Sequence, residues 1–190
     1  MSEDPPRAPG DLEVVRRFAN TIDVEDRRDD LVKDDDLSDA SGLRAWLLDN
    51  GLIARRTQAA PEDLRHALAL REAIRALALA NHGEPTPASA GATLEATARR
   101  AGLTPRFPPG AEPALAPTAR GVDAALGRLV AIVYGSMTGG TWDRLKICRA
   151  DTCQWVFYDQ SKNRSRAWCS MQICGNRQKA RAFRERAAHG

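Results

Sequence analysis

The run "CRADTCQWVFYDQSKNRSRAWCSMQIC", from Cys148 to Cys174, contains all four cysteines of the 190-residue chain. They form two C-x4-C pairs separated by fifteen residues. Two close pairs joined by a short loop can bring four thiolates to one tetrahedral Zn²⁺, in a closed structural site with no position left for water. The spacing therefore predicts a zinc site with Cys148, Cys153, Cys169 and Cys174 as ligands. A disulfide pair or a redox thiol switch remains the alternative.

The N-terminal residues favour metal over disulfides. The stretch "MSEDPPRAPGD" has acidic residues and prolines where a secretion signal has basic residues and an apolar run. The longest apolar run, "LVAIVYGSM", is too short to span a membrane. We therefore expect a cytoplasmic protein with no membrane partner, whose thiols stay reduced. The histidines, His66, His82 and His189, are scattered, and we expect them at the surface rather than on the metal.

The residues around the cysteines predict how the site is built. The segments "RLKIC" and "WVFYD" favour a β-hairpin with the first two ligands on its turn, and the second pair opens a helix, "CSMQICGNRQKARAFRER". Zinc would pin the hairpin to the helix, as in zinc ribbons and treble clefs. A module of this size cannot support itself on its own core, so the metal would supply the fold.

The C-terminal part is strongly basic. Residues 144–190 contain 11 Lys and Arg against three Asp and Glu, a net charge of +8, whereas residues 1–143 carry a net charge of −5. An acidic body with a basic end is typical of a chain that offers that end to a polyanion. The candidate nucleic-acid contacts are seven basic residues: Lys162, Arg164, Arg166, Arg177, Lys179, Arg181 and Arg184.

Helical spacing orders the last of these residues. Arg177, Arg181 and Arg184 share one face of the predicted helix, where their planar guanidinium groups suit phosphate. Plain solvation is the alternative for all three, and for Arg177 so is a structural role beside the metal. Ala180, Phe183 and Ala187 form the expected packing stripe, with Phe183 as its anchor.

The chain before the cysteines is expected to be helical, giving a mainly α fold. Its low aromatic content of 5% fits an alanine-rich, helical protein. Amphipathic helices are predicted in "GDLEVVRRFANTID", "SGLRAWLLDNGL", the segment from Pro61 to near Gly83, "ATLEATARRAG" and "ARGVDAALGRLVAIVYGSM". The acidic segment 23–39 is expected to be a solvated loop. Five prolines in "LTPRFPPGAEPALAPT" predict an extended excursion with a short strand, and "TGGTW" a hinge.

The segment from Cys148 to Arg186 resembles the CGNR zinc finger, named for the tetrapeptide that stands at Cys174–Arg177. The metal ligands of that family fall on the four cysteines, its aromatic-Phe-x-Asp segment on Trp155–Asp159, and its basic-Trp-Cys-Ser-Met segment on Arg166–Met171. The segments "FANTID", "LRAWLLDNGL" and "LALREAIRALALA" resemble the ABATE domain, an all-helical bacterial module that precedes this finger. The resemblance implies a disordered tail at 1–10, a helical ABATE-like domain at 11–138 and the finger at 143–188.

The resemblance also implies a function. It indicates a bacterial transcription regulator of the stress response that binds DNA through the finger, with the helical domain sensing a small-molecule effector or pairing with a partner. Asn20, Thr21 and Arg71, polar residues in apolar helices, are candidates for an effector pocket, with cap and surface roles as the alternative.

Two other functions stay open: RNA binding, and a protein adaptor that docks through the basic tail. A palindromic DNA site would require a homodimer, although no heptad seam predicts one. An enzyme is not expected, because the cysteines are used as ligands, no histidine accompanies a nucleophile and no glycine-rich phosphate loop is present.

Overall fold

The computed structural model describes residues 6–27, 30–110 and 112–188. Most of the described chain is helical, and the predicted mainly α fold is confirmed. The helices are α1 (Leu12–Ala19), α2 (Ala40–Asp49), α3 (Pro61–Ala80), α4 (Ala88–Ala101), α5 (Gly121–Thr138) and α6 (Asn176–Ala188). A 3₁₀ turn at Trp142–Arg144 and a π-helical turn at Met171–Gly175 precede the strands and the helix of the C-terminal module. None of the helices in the described ranges is both long and apolar enough to cross a membrane.

The strands of the described ranges form three antiparallel pairs. They are β1 (Ile22–Arg27) with β2 (Asp30–Asp35), β3 (Leu103–Arg106) with β4 (Ala114–Pro117), and β5 (Leu145–Ile147) with β6 (Val156–Tyr158). The proline-rich excursion thus contains two paired strands, and "RLKIC" pairs with "WVFYD" as predicted, with Lys146 opposite Phe157.

The acidic segment is the main departure from expectation. We expected residues 23–39 to be a solvated loop, but β1 and β2 pair over six positions, from Ile22 opposite Asp35 to Arg27 opposite Asp30. Ile22 and Val24 alternate with acidic residues, which is the period of a strand, and the high charge conceals it in the sequence. The Arg71 guanidinium holds the end of the pair, because it donates to both carboxylate oxygens of Asp35.

Helix α3 lies at the centre of the core. The apolar face of this predicted amphipathic helix is largely buried, and Ala67, Leu70 and Ile74 are fully enclosed. Pro61 occupies the first turn, and the Asp63 carboxylate accepts a hydrogen bond from the Ala60 amide at 2.8 Å. Helix α3 contacts α1, α2, α4, α5 and β5, so it links the helical domain to the C-terminal module.

Helices α4 and α5 approach each other closely. In α5, a Cβ at Gly127 would clash with the Cβ of Ala101 in α4, so this crossing requires glycine. Helix α5 then leads through Gly139 and Gly140 into the 3₁₀ turn and β5.

The β5–β6 hairpin faces two cores. Leu145, Ile147, Val156 and Tyr158 pack into the same hydrophobic cluster as the helices. Phe157 lies on the other side, in a small cluster with Cys148, Ala150 and Cys174. The alternation of a strand thus joins the metal-binding module to the helical domain.

The predicted N-terminal tail, residues 1–10, lies partly outside the described residues. In the part that is described, Ala8 is buried, and its amide donates to Glu13 Oε2 at 2.8 Å.

Candidate zinc centre and basic helix

The four cysteines converge on one point. Their sulfur atoms all lie within 4.8 Å of one another, and none is in a disulfide. The Sγ–Sγ distances are 3.6 Å between Cys153 and Cys169 and 3.7 Å between Cys169 and Cys174. A tetrahedral ion with Zn–S bonds of about 2.3 Å separates its sulfurs by about 3.8 Å. The donor set and its spacing therefore fit Zn²⁺, which four thiolates would hold in a closed, structural site.

Each cysteine pair is placed by a different local structure. Cys148 directly follows β5, and its amide donates to the Trp155 carbonyl at 2.8 Å, which continues the strand ladder by one residue. The Cys153 amide donates to the Ala150 carbonyl at 2.9 Å in the turn between the strands. Cys174 lies in the π-helical turn that opens α6, and Cys169 lies just before that turn. The hairpin and the entry to the helix thus contribute two ligands each.

The thiols shift one another's pKa values. Hydrogen bonds from Cys153 and Cys169 lower the pKa of Cys148 to about 2. The hydrogen bond to Cys148 raises the pKa of Cys153 to about 12. Hydrogen bonds to Cys148 and Cys153 raise the pKa of Cys169, and burial raises the pKa of Cys174. One thiolate forms readily, and the others ionise when a cation takes up their charge. Four ionised thiolates are the form of these side chains that a divalent metal site requires.

Asp159 organises the loop between the two pairs. Its side chain is fully buried. The Oδ1 atom accepts hydrogen bonds from the amide and the hydroxyl of Ser161, at 2.9 and 2.6 Å. The Oδ2 atom accepts hydrogen bonds from Lys146 Nζ at 3.1 Å and from the Arg166 amide at 2.9 Å. Burial opposes ionisation of this carboxyl, but the hydrogen bonds from Ser161, Lys146 and Arg166 outweigh it and lower its pKa. Sequence reasoning included Asp159 only as part of a family segment; its position directly after a strand was the available signal.

Arg166, one of the seven predicted nucleic-acid contacts, faces into the module. Its Nε donates to the Trp168 carbonyl at 2.9 Å and its Nη2 to the Cys169 carbonyl at 2.6 Å. The guanidinium carbon lies 5.7 Å from the centre of the Phe157 ring. Arg166 therefore braces the loop that carries the second cysteine pair.

The other six predicted contacts are exposed. Lys162 and Arg164 lie in the loop after β6, and Arg177, Lys179, Arg181 and Arg184 lie on α6. Arg164 Nη1 is 3.5 Å from Asp143 Oδ2, and Arg181 Nη1 is 3.8 Å from Asp151 Oδ2. Both ion pairs are at the surface, where such pairs contribute little to stability. Their guanidinium groups remain accessible to a ligand.

The predicted packing stripe of α6 is not buried. We expected Ala180, Phe183 and Ala187 to face a core, but all three are exposed, and 67% of Phe183 is accessible to solvent. Among the described residues, the main neighbour of α6 is the π-helical turn that precedes it. Helical periodicity predicts which residues share a face, not whether another element covers that face.

The structure places the three predicted pocket residues in different surroundings. Asn20 lines a cleft of about 570 Å³ with Arg17, Trp46 and Trp155, whereas Thr21 and Arg71 are buried elsewhere. Arg71 donates to Asp35 at 2.6 and 2.9 Å and to the Thr21 hydroxyl at 3.1 Å.

Asn20 instead joins the helical domain to the finger. Its Nδ2 donates to the Val156 carbonyl at 2.8 Å, and its Oδ1 accepts from the Val156 amide at 2.7 Å. The side chain thus pairs with the outer edge of β6, as a neighbouring strand would. Arg75 on α3 spans the same junction, since it donates to the carbonyls of Ala19 and Gln154.

Further contacts that sequence reasoning missed lie at the end of α3. Asn81 Nδ2 donates to the Trp142 and Leu145 carbonyls at 2.9 and 2.8 Å. His82, expected at the surface, is half-buried, with its Nε2 2.7 Å from the Ile147 carbonyl. These partners are more than sixty residues away along the chain, so no local pattern indicates them.

The fold and the site define a zinc-finger protein whose four-cysteine module is fused to a helical domain. Two family models match the chain: the CGNR zinc finger over residues 144–187, and ABATE, described as "Putative stress-induced transcription regulator", over residues 12–139. The second match covers two thirds of the chain, so the protein belongs to the ABATE family, and it carries a CGNR zinc finger that binds zinc. No curated protein matches the chain.

Proposed function

We propose that this protein is a transcription regulator of the bacterial stress response. It would bind duplex DNA in the cytoplasm through α6. The exposed basic face of α6, which starts at the zinc centre, carries this proposal. The family description supports regulation and stress response. The helical domain would then sense an effector or a partner.

The geometry of α6 suits a DNA groove. Arg177, Arg181 and Arg184 lie on one face and are exposed along their common side. A helix of this kind fits the major groove, and arginine binds phosphate and guanine in a bidentate manner. Helix α6 directly follows the π-helical turn that contains Cys174, so bound zinc would fix the direction in which these arginines project.

The charge of the rest of the molecule would orient the complex. Residues 1–143 carry a net charge of −5, so the helical domain repels a polyanion while the finger attracts it. This asymmetry favours binding in which α6 faces the nucleic acid and the helical domain faces solvent.

RNA is the second candidate, because one observation favours it. The Phe183 ring is exposed between basic residues, and such rings stack on unpaired bases. Trp155 and Phe157 pack against the cysteine cluster and offer little additional stacking surface.

The test is binding of the zinc-loaded chain to a random duplex DNA library and to single-stranded RNA, each at two salt concentrations. The test variant is Arg181→Ala/Arg184→Ala. The matched control is Arg65→Ala/Arg99→Ala, which removes the same charge from exposed positions of the helical domain. We expect one enriched duplex sequence, about tenfold weaker binding by the test variant, and a log–log salt slope that is smaller by about two.

The control should bind like the wild type. Preference for single strands would favour RNA. No binding of either nucleic acid at low salt would refute the proposal and leave α6 as a surface for docking an acidic protein.

A further inference from the structure

A groove of about 900 Å³ lies between α5, the β3–β4 hairpin and the start of α1. Its walls are mostly apolar, with Leu12 and Val14 from α1, Pro105 and Leu115 from the hairpin, and Ile132 from α5. This volume lies in the range found for small-molecule binding sites, which are concave and mostly apolar.

Two aromatic side chains line this groove and are exposed. Phe107, in the loop after β3, is 75% accessible, and Tyr134, on α5, is 55% accessible. Exposed large apolar side chains that share one concave surface indicate a binding site more often than scattered ones do. The rings face the groove from different elements, so an aromatic molecule could contact both.

The charges around the groove select the ligand. Among the described residues that line it, the charged ones are Asp11, Glu112 and Arg128, which give a net charge of −1. Arg128 Nη1 donates to the Leu52 carbonyl at 3.1 Å, which directs part of this guanidinium toward the backbone. Two carboxylates and two aromatic rings favour a cation and disfavour an anion.

We propose that this groove binds a small, apolar, aromatic molecule that carries a positive charge. The proposal names the effector of the sensing domain and in that respect rests on the proposed function. The binding site itself is argued from the groove alone, so its test needs no nucleic acid.

The position of the groove would let its occupant act on the finger. Tyr134, Ser136 and Thr138 from the last turns of α5 line it, and so does Thr141, which lies just before the finger. The Thr141 amide and hydroxyl both donate to the Ser136 carbonyl, at 3.0 and 3.3 Å. The next residue, Trp142, is buried in the core. A ligand that shifts the end of α5 would therefore also shift the entry to β5.

The experiment is a titration of the zinc-loaded full chain with two xanthene dyes of similar size, followed by fluorescence anisotropy. Rhodamine 6G is a lipophilic cation, and fluorescein is an anion. The test variant is Gly135→Phe, which places a ring in the groove. A Cβ at Gly135 would meet no atom within 4 Å, so the fold should tolerate it. Gly91→Phe on α4 is the matched control, since it is also a helical glycine with open space around its Cβ.

We expect rhodamine 6G to bind saturably with one site, at least tenfold tighter than fluorescein. Gly135→Phe should weaken it at least tenfold, and Gly91→Phe should not. Asp11→Asn/Glu112→Gln should weaken rhodamine 6G and leave the fold intact, as judged by circular dichroism. Equal or tighter binding of fluorescein, or equal effects of the two glycine variants, would overturn the proposal. If the dye binds as expected but DNA does not bind, the regulator function fails and the groove proposal stands.

Discussion

The two halves of the zinc module are held in opposite ways. The β5–β6 hairpin packs into the core of the helical domain, where Leu145 and Val156 are fully buried. Helix α6 has no comparable contact among the described residues, and its Phe183 is largely exposed. The cysteine cluster joins the halves, with two ligands from each.

This difference indicates that zinc stabilises less of the fold here than it does in an isolated zinc finger. The hairpin does not depend on zinc for its core, because the helical domain supplies one. Helix α6 mainly contacts the turn that carries Cys174, so we expect its position and direction to depend on zinc. Zinc would therefore connect the β5–β6 hairpin, which the helical domain holds in place, to α6, whose basic face we propose binds DNA.

Removing zinc should give the largest effect and tests this division directly. With a chelator, or in Cys169→Ser/Cys174→Ser, we expect amides of α6 and the preceding loop to lose protection from hydrogen exchange. The amides of β5 and β6 should keep most of theirs, because their core is in the helical domain. Nucleic-acid binding should fall by a factor of about 100 or more, because α6 would then have to be ordered when it binds, which costs roughly 2–5 kcal/mol. Equal loss of protection in the hairpin and helix would show that the finger folds as one zinc-dependent unit.

Asp159 should have the next largest effect, because it holds the base of the module. Asp159→Ala leaves the buried Lys146 ammonium without its carboxylate partner, which costs about 3–5 kcal/mol for a buried pair. The matched control is Asp151→Ala, which removes an 83% exposed carboxylate from the same module and should change stability by less than about 0.5 kcal/mol. Urea unfolding of the zinc-loaded variants measures both values. A cost for Asp159→Ala as small as that of the control would mean that water or another carboxylate replaces its contacts.

His82 should give a smaller, pH-dependent effect on the attachment of the hairpin. Burial lowers its pKa, and the nearby Arg149 and Lys146 add to this, while the Ile147 carbonyl and Asp159 oppose it. The unfolded chain therefore takes up the proton first as pH falls through about 6.5, and the folded protein loses stability from there down to the lowered pKa. Hydrogen exchange of β5 amides at pH 7.5 and 6.0 measures this.

The control for this effect is His82→Gln, which keeps an amide donor for Ile147 and cannot titrate. In this variant the difference in protection between the two pH values should shrink. The pKa of His66 is also lowered by burial, but His66 contacts Thr97 and not the hairpin. His66→Gln should therefore leave the pH dependence of the β5 amides unchanged, and an equal effect of both variants would contradict a specific role for His82.

The zinc site and the basic face of α6 were predictable because their signals are local. Two C-x4-C pairs and three arginines at helical spacing carry their chemistry in short stretches of sequence. The contacts that hold the strand pairs in place are not local: Asn20 bonds to Val156 of β6, 136 residues away, and Arg71 bonds to Asp35 of β2, 36 residues away. In the sequence these residues look like a cap or a pocket group. The sequence does not predict the β1–β2 pair, because the many charged residues in this segment favour a solvated loop over its weak alternating pattern.

Replacing Phe183 should give the smallest effect on stability, and it tests whether α6 is exposed while the β5–β6 hairpin is buried. Phe183→Ala should change the free energy of unfolding by less than about 0.5 kcal/mol, because 67% of the side chain is already in solvent. Phe157→Ala, which removes a fully buried ring beside the cysteines, should cost about 3–5 kcal/mol. Urea unfolding compares them, and nucleic-acid binding of Phe183→Ala then reports whether the ring contacts the ligand. A large loss of stability in Phe183→Ala would show that another surface packs against Phe183 in solution. Helix α6 would then carry an apolar interface beside its basic face.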